Sequence, residues 1–156
     1  SSMVTVDFDR LRLEPGFKIL DIGCGSGRHT SAAYRCREVT VIGVDLNIDD
    51  LNDAASRLQL HDRLGEHGGG TWALSAADIL ALPFQDNRFD LVICSEVLEH
   101  LLTHRTAIRE VVRVLQPGRN LVVSVPRCWP ERICWLLSDE YFNAADLDPI
   151  EALRHE

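Results

Sequence analysis

Nine residues, Ile19-Leu20-Asp21-Ile22-Gly23-Cys24-Gly25-Ser26-Gly27, constrain this chain more than any other stretch. Apolar residues bracket an acid and give way to Gly-x-Gly-x-Gly, the pattern of a buried strand running into a glycine turn. Glycine tolerates positive φ and carries no Cβ, so the backbone of such a turn can lie close to a nucleotide-like ligand. A helix beginning at Arg28 would direct its first N–H groups at whatever sits over the turn.

The spacing separates ligand classes. A dinucleotide fingerprint needs Gly-x-Gly-x-x-Gly. Here the third glycine comes one residue early, at Gly27, and Arg28 stands where that fingerprint would need a glycine. Asp21, two residues before the first glycine, is a poor neighbour for a pyrophosphate and a good one for an ammonium or sulfonium group. An NAD-dependent oxidoreductase on a Rossmann sheet is therefore the disfavoured reading.

Four further apolar runs follow. Val39 to Val44 ends at Asp45, 22 residues after Gly23, near the distance at which a second parallel strand sets a carboxylate on ribose hydroxyls. Trp72 to Ala77 ends in Asp78, and Phe89 to Cys94 is followed by Ser95-Glu96-Val97-Leu98-Glu99-His100. Leu121 to Val125 forms the fifth run. Helical segments fit between them. The first covers about Arg28 to Cys36. The second has Asn47 as cap, Asp50 three residues on, and an apolar face of Leu51, Ala54, Ala55 and Leu58. Residues 61–70, ending in three glycines, are expected to form a mobile loop. A later helix buries Ile108, Val111, Val112 and Leu115 and is stopped by Pro117 and Gly118. Strands alternating with helices require a parallel sheet with right-handed crossovers. The fold class is α/β: a Rossmann-like, doubly wound, mostly parallel sheet with helices on both faces.

At these residues the chain resembles the class I S-adenosylmethionine-dependent methyltransferases, in particular the methyltransferase type 11 group. The matching pieces are DIGCGSG at 21–27, VIGVDLN at 41–47, AADILALPF at 76–84, FDLVICSEVLEHL at 89–101 and LQPGRNLVVSVP at 115–126. The resemblance implies S-adenosyl-L-methionine as cofactor, S-adenosyl-L-homocysteine as product, and SN2 transfer of the sulfonium methyl group to a small-molecule acceptor. It also implies a set of contacts. Gly23, Cys24 and Gly25 would sit against the methionine and ribose parts, and Asp21 would help hold the amino group, directly or through water. Asp45 should accept from both ribose hydroxyls, and Leu46 should pack on an adenine face. Asp78 should accept from the adenine amino group while the Ile79 N–H donates to a ring nitrogen. Ser95 should line the methionine end. His100 is the best-placed candidate for a base, should the acceptor need one.

Each assignment has a structural alternative. Asp45 could cap the second helix, Asp78 could be a turn aspartate before Leu82-Pro83-Phe84, and His100 could be a helix-start histidine bonded to backbone. Glu96 and Glu99 read as first-turn charges favoured by the helix dipole. A non-catalytic S-adenosylmethionine-binding domain would keep the glycines and Asp45 and lack an acceptor pocket.

Composition limits the partners. Net charge is −8, with one lysine against 15 arginines and no basic stripe, which disfavours nucleic acid as the main partner. No run of 18 apolar residues suggests a membrane span. The five cysteines are odd in number and form no Cys-x-x-Cys pair. That argues against a metal site or a disulfide framework and points to a reducing cytoplasm. Ser1-Ser2-Met3 resembles a tag remnant within an N-terminal segment over 1–16. The cofactor-binding core is expected over 17–126, and 127–156 reads as a partial lid or C-terminal segment. Cys128-Trp129-Pro130 and Cys134-Trp135 fall there, as a substrate mouth or an apolar face without its cover. Family members continue beyond the fifth strand with a lid, a helix and two more strands. The fifth strand would then be an apolar edge, which either an incomplete chain or a partner covering the edge explains; an incomplete chain is the favoured expectation.

Overall fold

The computed structural model describes residues 6–94 and 105–123. Five parallel strands form one sheet: β1 (Lys18–Ile22), β2 (Thr40–Asp45), β3 (Thr71–Ala76), β4 (Phe89–Cys94) and β5 (Leu115–Val123). Their order is β3-β2-β1-β4-β5. The chain steps outward from β1 to β2 and β3, then crosses back to lay β4 on the other side of β1. Strand order therefore reverses between β1 and β4, where open α/β sheets bind ligands.

The helices cover both faces, as alternation in the strands requires. Leu20, Ile22, Val44 and Val92 point to one side and pack with Ala107, Ile108 and Val111 of α3 (Arg105–Val114). Ile19, Val41, Leu91 and Ile93 point to the other, against Ala33 and Tyr34 of α1 (Arg28–Tyr34) and Leu58 of α2 (Ile48–Leu64). The central strand β1 carries four fully buried residues in succession, Ile19 to Ile22, the mark of a strand covered on both faces. Asn47 caps α2, its side chain accepting from the Asp50 N–H at 3.2 Å, and Leu51, Ala54 and Leu58 are buried. At the amino end of the sheet the Tyr34 hydroxyl and the Trp72 indole both donate to Asp62, fastening α1 and β3 to α2. Burial, and then this bond, push the Tyr34 phenol up to about 12.

Four boundaries differ from the sequence reading. α1 ends at Tyr34 rather than Cys36, whose N–H closes the helix by donating to Ala33 O at 2.9 Å. α2 runs on to Leu64 and is capped by Gly65 in the left-handed region, φ 67°. The loop that follows is held by backbone bonds between Gly68 and both Tyr34 O and the Glu38 N–H. A Cβ at Gly68 or Gly70 would overlap the Cys36 or Val39 carbonyl, so these glycines serve close packing instead of mobility. α3 stops at Val114, and Leu115 already pairs with Phe89 as the first residue of β5. Pro117 and Gly118, at φ 75°, form an excursion within that strand: Leu91 pairs next with Asn120. Among the described residues β5 is the edge strand on its side, paired with β4 and half-buried at Leu121 to Val123. Also among them, no helix is long and apolar enough to cross a membrane.

Candidate functional site

The turn after β1 is built by three left-handed glycines, Gly23 (φ 68°), Gly25 (φ 52°) and Gly27 (φ 84°). It is fastened on two sides. The Gly23 and Cys24 N–H groups both donate to Val44 O at the end of β2, at 2.9 and 3.0 Å. From α2, the Arg57 Nε donates to Ser26 O at 3.0 Å. Gly27 is a packing glycine: a Cβ there would come within 2.9 Å of the Ala54 Cβ on α2.

Asp45 lies directly across from this turn. Its Oδ2 accepts the Gly25 N–H at 2.8 Å and its Oδ1 accepts the Asn47 N–H at 2.9 Å. Asn47 caps the helix, so Asp45 is left to bridge the glycine turn and the α2 entry. Each of its oxygens can still accept a second bond. Leu46, next in the chain, is 64% exposed, an apolar face offered to solvent beside a fixed carboxylate. The Ala77 N–H donates to Asp45 O at 3.2 Å and ties the end of β3 to the same place.

Asp21 is fully buried at the end of β1, with its Oδ2 accepting from Thr30 Oγ1 at 2.7 Å. Its charge reaches two thiols, those of Cys24 and Cys94. Burial, and then the Asp21 charge, push both Cys24 and Cys94 up, so both stay protonated; Asp45 adds to the effect at Cys24.

Asp78 and Ile79 follow β3. Asp78 is exposed and its Oδ1 accepts the Leu80 N–H at 2.9 Å, a turn in which the carboxylate also faces solvent. Ile79 is buried in the core on the α3 side. The next residues are clamped to α3. The Arg113 guanidinium donates to Leu82 O, Phe84 O, Asp86 Oδ1 and both Glu110 oxygens, and Glu110 Oε2 accepts the Leu82 N–H at 2.7 Å. Arg113, first, and then the Leu82 N–H hold the Glu110 carboxyl below its usual value against the pull of burial.

The structure thus brings together Asp21, Gly23, Cys24, Gly25, Asp45, Leu46, Asp78 and Ile79 at the carboxyl ends of β1, β2 and β3. Ser95 and His100 lie outside the described residues, as do Glu96, Glu99 and the Cys-Trp pairs near the end. Thr30, Arg57 and the Glu110–Arg113 pair are structural contributors that local sequence patterns do not announce. Their partners are 9, 31 and about 28 positions away. Among the described residues no group of three or more His, Cys, Asp or Glu could hold a metal ion.

Residues 20–123 match the family model described as a methyltransferase domain. The chain belongs to that family. The matched segment runs from β1 to the end of β5 and contains every site residue that the structure brings together. A 27-O-demethylrifamycin SV methyltransferase of Amycolatopsis mediterranei is 32% identical over 116 residues, 72% of this chain and 40% of its own. Among solved structures, a SAM-dependent methyltransferase of Methanosarcina mazei superposes with a TM-score of 0.66. It is 25% identical, over 84% of this chain and 63% of that one. SpnF, a (4+2) cyclase, superposes with a TM-score of 0.67, also 25% identical, over 87% of this chain and 54% of its own. This methyltransferase-family chain spans about 40% of the length of the curated relatives it matches.

Proposed function

We propose that this domain binds S-adenosyl-L-methionine at the carboxyl ends of β1, β2 and β3 and directs its methyl group to a small-molecule acceptor. The observation that carries the reading is Asp45. A carboxylate fixed at both oxygens by backbone N–H groups, opposite three left-handed glycines, is prepared to receive a pair of vicinal hydroxyls. The donor set fits the whole cofactor. Asp45 would take the ribose, exposed Leu46 one adenine face, and the Asp78–Ile79 turn the adenine edge. Gly23, Cys24 and Gly25 would admit the ligand closely, and Asp21 would meet its cationic amino group. When bound, S-adenosylmethionine supplies a methyl group already activated by its sulfonium charge. What the chain adds is alignment of donor and acceptor, exclusion of water and, for an acceptor that must lose a proton, a base. His100 is our candidate for that base, and Ser95 for the lining beside it.

A small-molecule acceptor is supported by the family relative named for a demethylrifamycin. The NAD-dependent alternative has against it both the Gly27-Arg28 spacing and the family match. A second reading draws on SpnF: this fold also serves a protein named for a cyclisation, so cofactor binding without methyl transfer is a distinct outcome. Methyl-group transfer by the complete gene product, measured with labelled S-adenosylmethionine over a panel of hydroxyl, amine and carbon acceptors, separates the two. Labelled product supports the proposal. Binding of S-adenosylhomocysteine with no product from any acceptor supports the second reading.

A further inference from the structure

Thr30 occupies the third position of α1 and is fully buried. Threonine is a mediocre helix former, and within a helix its hydroxyl usually turns back to a carbonyl three or four residues earlier. Here it turns inward and donates to Asp21 Oδ2 at 2.7 Å. Three elements meet at this bond. β1 supplies the carboxylate, α1 the hydroxyl, and β2 the space: a Cβ on Gly43 would lie 3.1 Å from Thr30 Oγ1 and 3.0 Å from Cys24 Sγ. The Cys24 thiol beside it is kept neutral by burial and then by Asp21 itself. A buried carboxylate needs donors to keep its charge and a partner to fix its plane. Fixing one oxygen sets the direction of the other.

We infer that Thr30 is a positioning residue that orients the Asp21 carboxylate toward the amino group of the bound cofactor. The inference rests on the cofactor reading above and names a residue that acts only through Asp21. It follows that loss of the Thr30 hydroxyl weakens recognition of the amino-acid half of the ligand and spares the adenosine half.

The test compares two ligands on the complete gene product by titration calorimetry. S-adenosylhomocysteine carries the amino-acid group, and 5′-methylthioadenosine lacks it. Thr30→Val should bind S-adenosylhomocysteine about ten-fold more weakly or worse, the size expected for a lost bond to a charged group. It should bind methylthioadenosine as the wild type does. Should valine disturb folding, Thr30→Ser and Thr30→Ala give the same comparison: serine should restore S-adenosylhomocysteine affinity and alanine should not. Equal weakening of both ligands, or unchanged S-adenosylhomocysteine affinity in Thr30→Ala, would overturn the inference. Failure of the wild type to bind S-adenosylhomocysteine would instead bring down the cofactor reading, and the role of Thr30 with it.

Discussion

Asp45 is the residue on which the proposed site turns. Replacing it with alanine would remove the acceptor for two ligand hydroxyls and would strand the Gly25 and Asn47 N–H groups that now hold it. Asp45→Ala should weaken S-adenosylhomocysteine binding by about 1.5–3 kcal/mol, the range for bonds to a charged group. Unchanged affinity in calorimetry would remove Asp45 from the site. Gly25 is held at φ 52°, where a β-branched side chain is strained by about 1–3 kcal/mol. Gly25→Val should therefore lose cofactor binding while circular dichroism still reports a folded α/β protein; retained affinity would place the ligand elsewhere. For His100 the decisive quantity is the split between turnover and affinity. If it serves as a base, His100→Ala should lower turnover about a hundred-fold or more and leave cofactor affinity near wild type. Equal turnover would return His100 to a structural role. Asp45 was legible because its distance from Gly23 follows from one strand-helix-strand unit. Thr30 was not, since its partner is set by how α1 lies across β1 and by the missing Cβ of Gly43 on β2.

Among the elements, α3 does more than cover the sheet. Through Glu110 and Arg113 it clamps residues 82–86, the continuation of the Asp78–Ile79 turn. Glu110 is held below its ordinary value in the fold. An acid depressed on folding binds fewer protons in the native state, so its stabilisation is present above the unfolded value of about 4.3 and is lost as pH falls through the depressed one. Glu110→Gln should thus be about 1 kcal/mol less stable at neutral pH, the difference between a charged and a neutral acceptor. In thermal melts that gap should close as pH drops below about 4. A constant gap from neutral to acid pH would show that the carboxylate's charge is not what the clamp uses. Periodicity located α2 through Leu51, Ala54 and Leu58, yet it missed the last turn of that helix. Beyond Leu58 the turn is mainly polar, and Leu60 and Leu64 are exposed, so no buried stripe marks it. The Pro117-Gly118 pair read as a boundary before β5 because such pairs commonly end elements. In the structure β5 begins ahead of them and bulges around them.

For the molecule as a whole, the sheet order β3-β2-β1-β4-β5 is what turns separate motifs into one site. The reversal between β1 and β4 opens the carboxyl end of the sheet, and the glycine turn, Asp45 and the Asp78 turn gather there. Alternating strand and helix signals, read in order, were enough to anticipate a parallel sheet covered on both faces, because parallel strands need right-handed crossovers; the order of the strands is set by long-range packing that no local pattern carries. Ser95 and His100, our candidates for the side that faces the acceptor, lie outside the described residues. Whether this domain binds S-adenosylmethionine is tested by titration calorimetry of the complete gene product with S-adenosylhomocysteine, alongside NADH. Micromolar binding of S-adenosylhomocysteine and none of NADH is the expected result. Binding of NADH alone would show that the site is not one for S-adenosylmethionine.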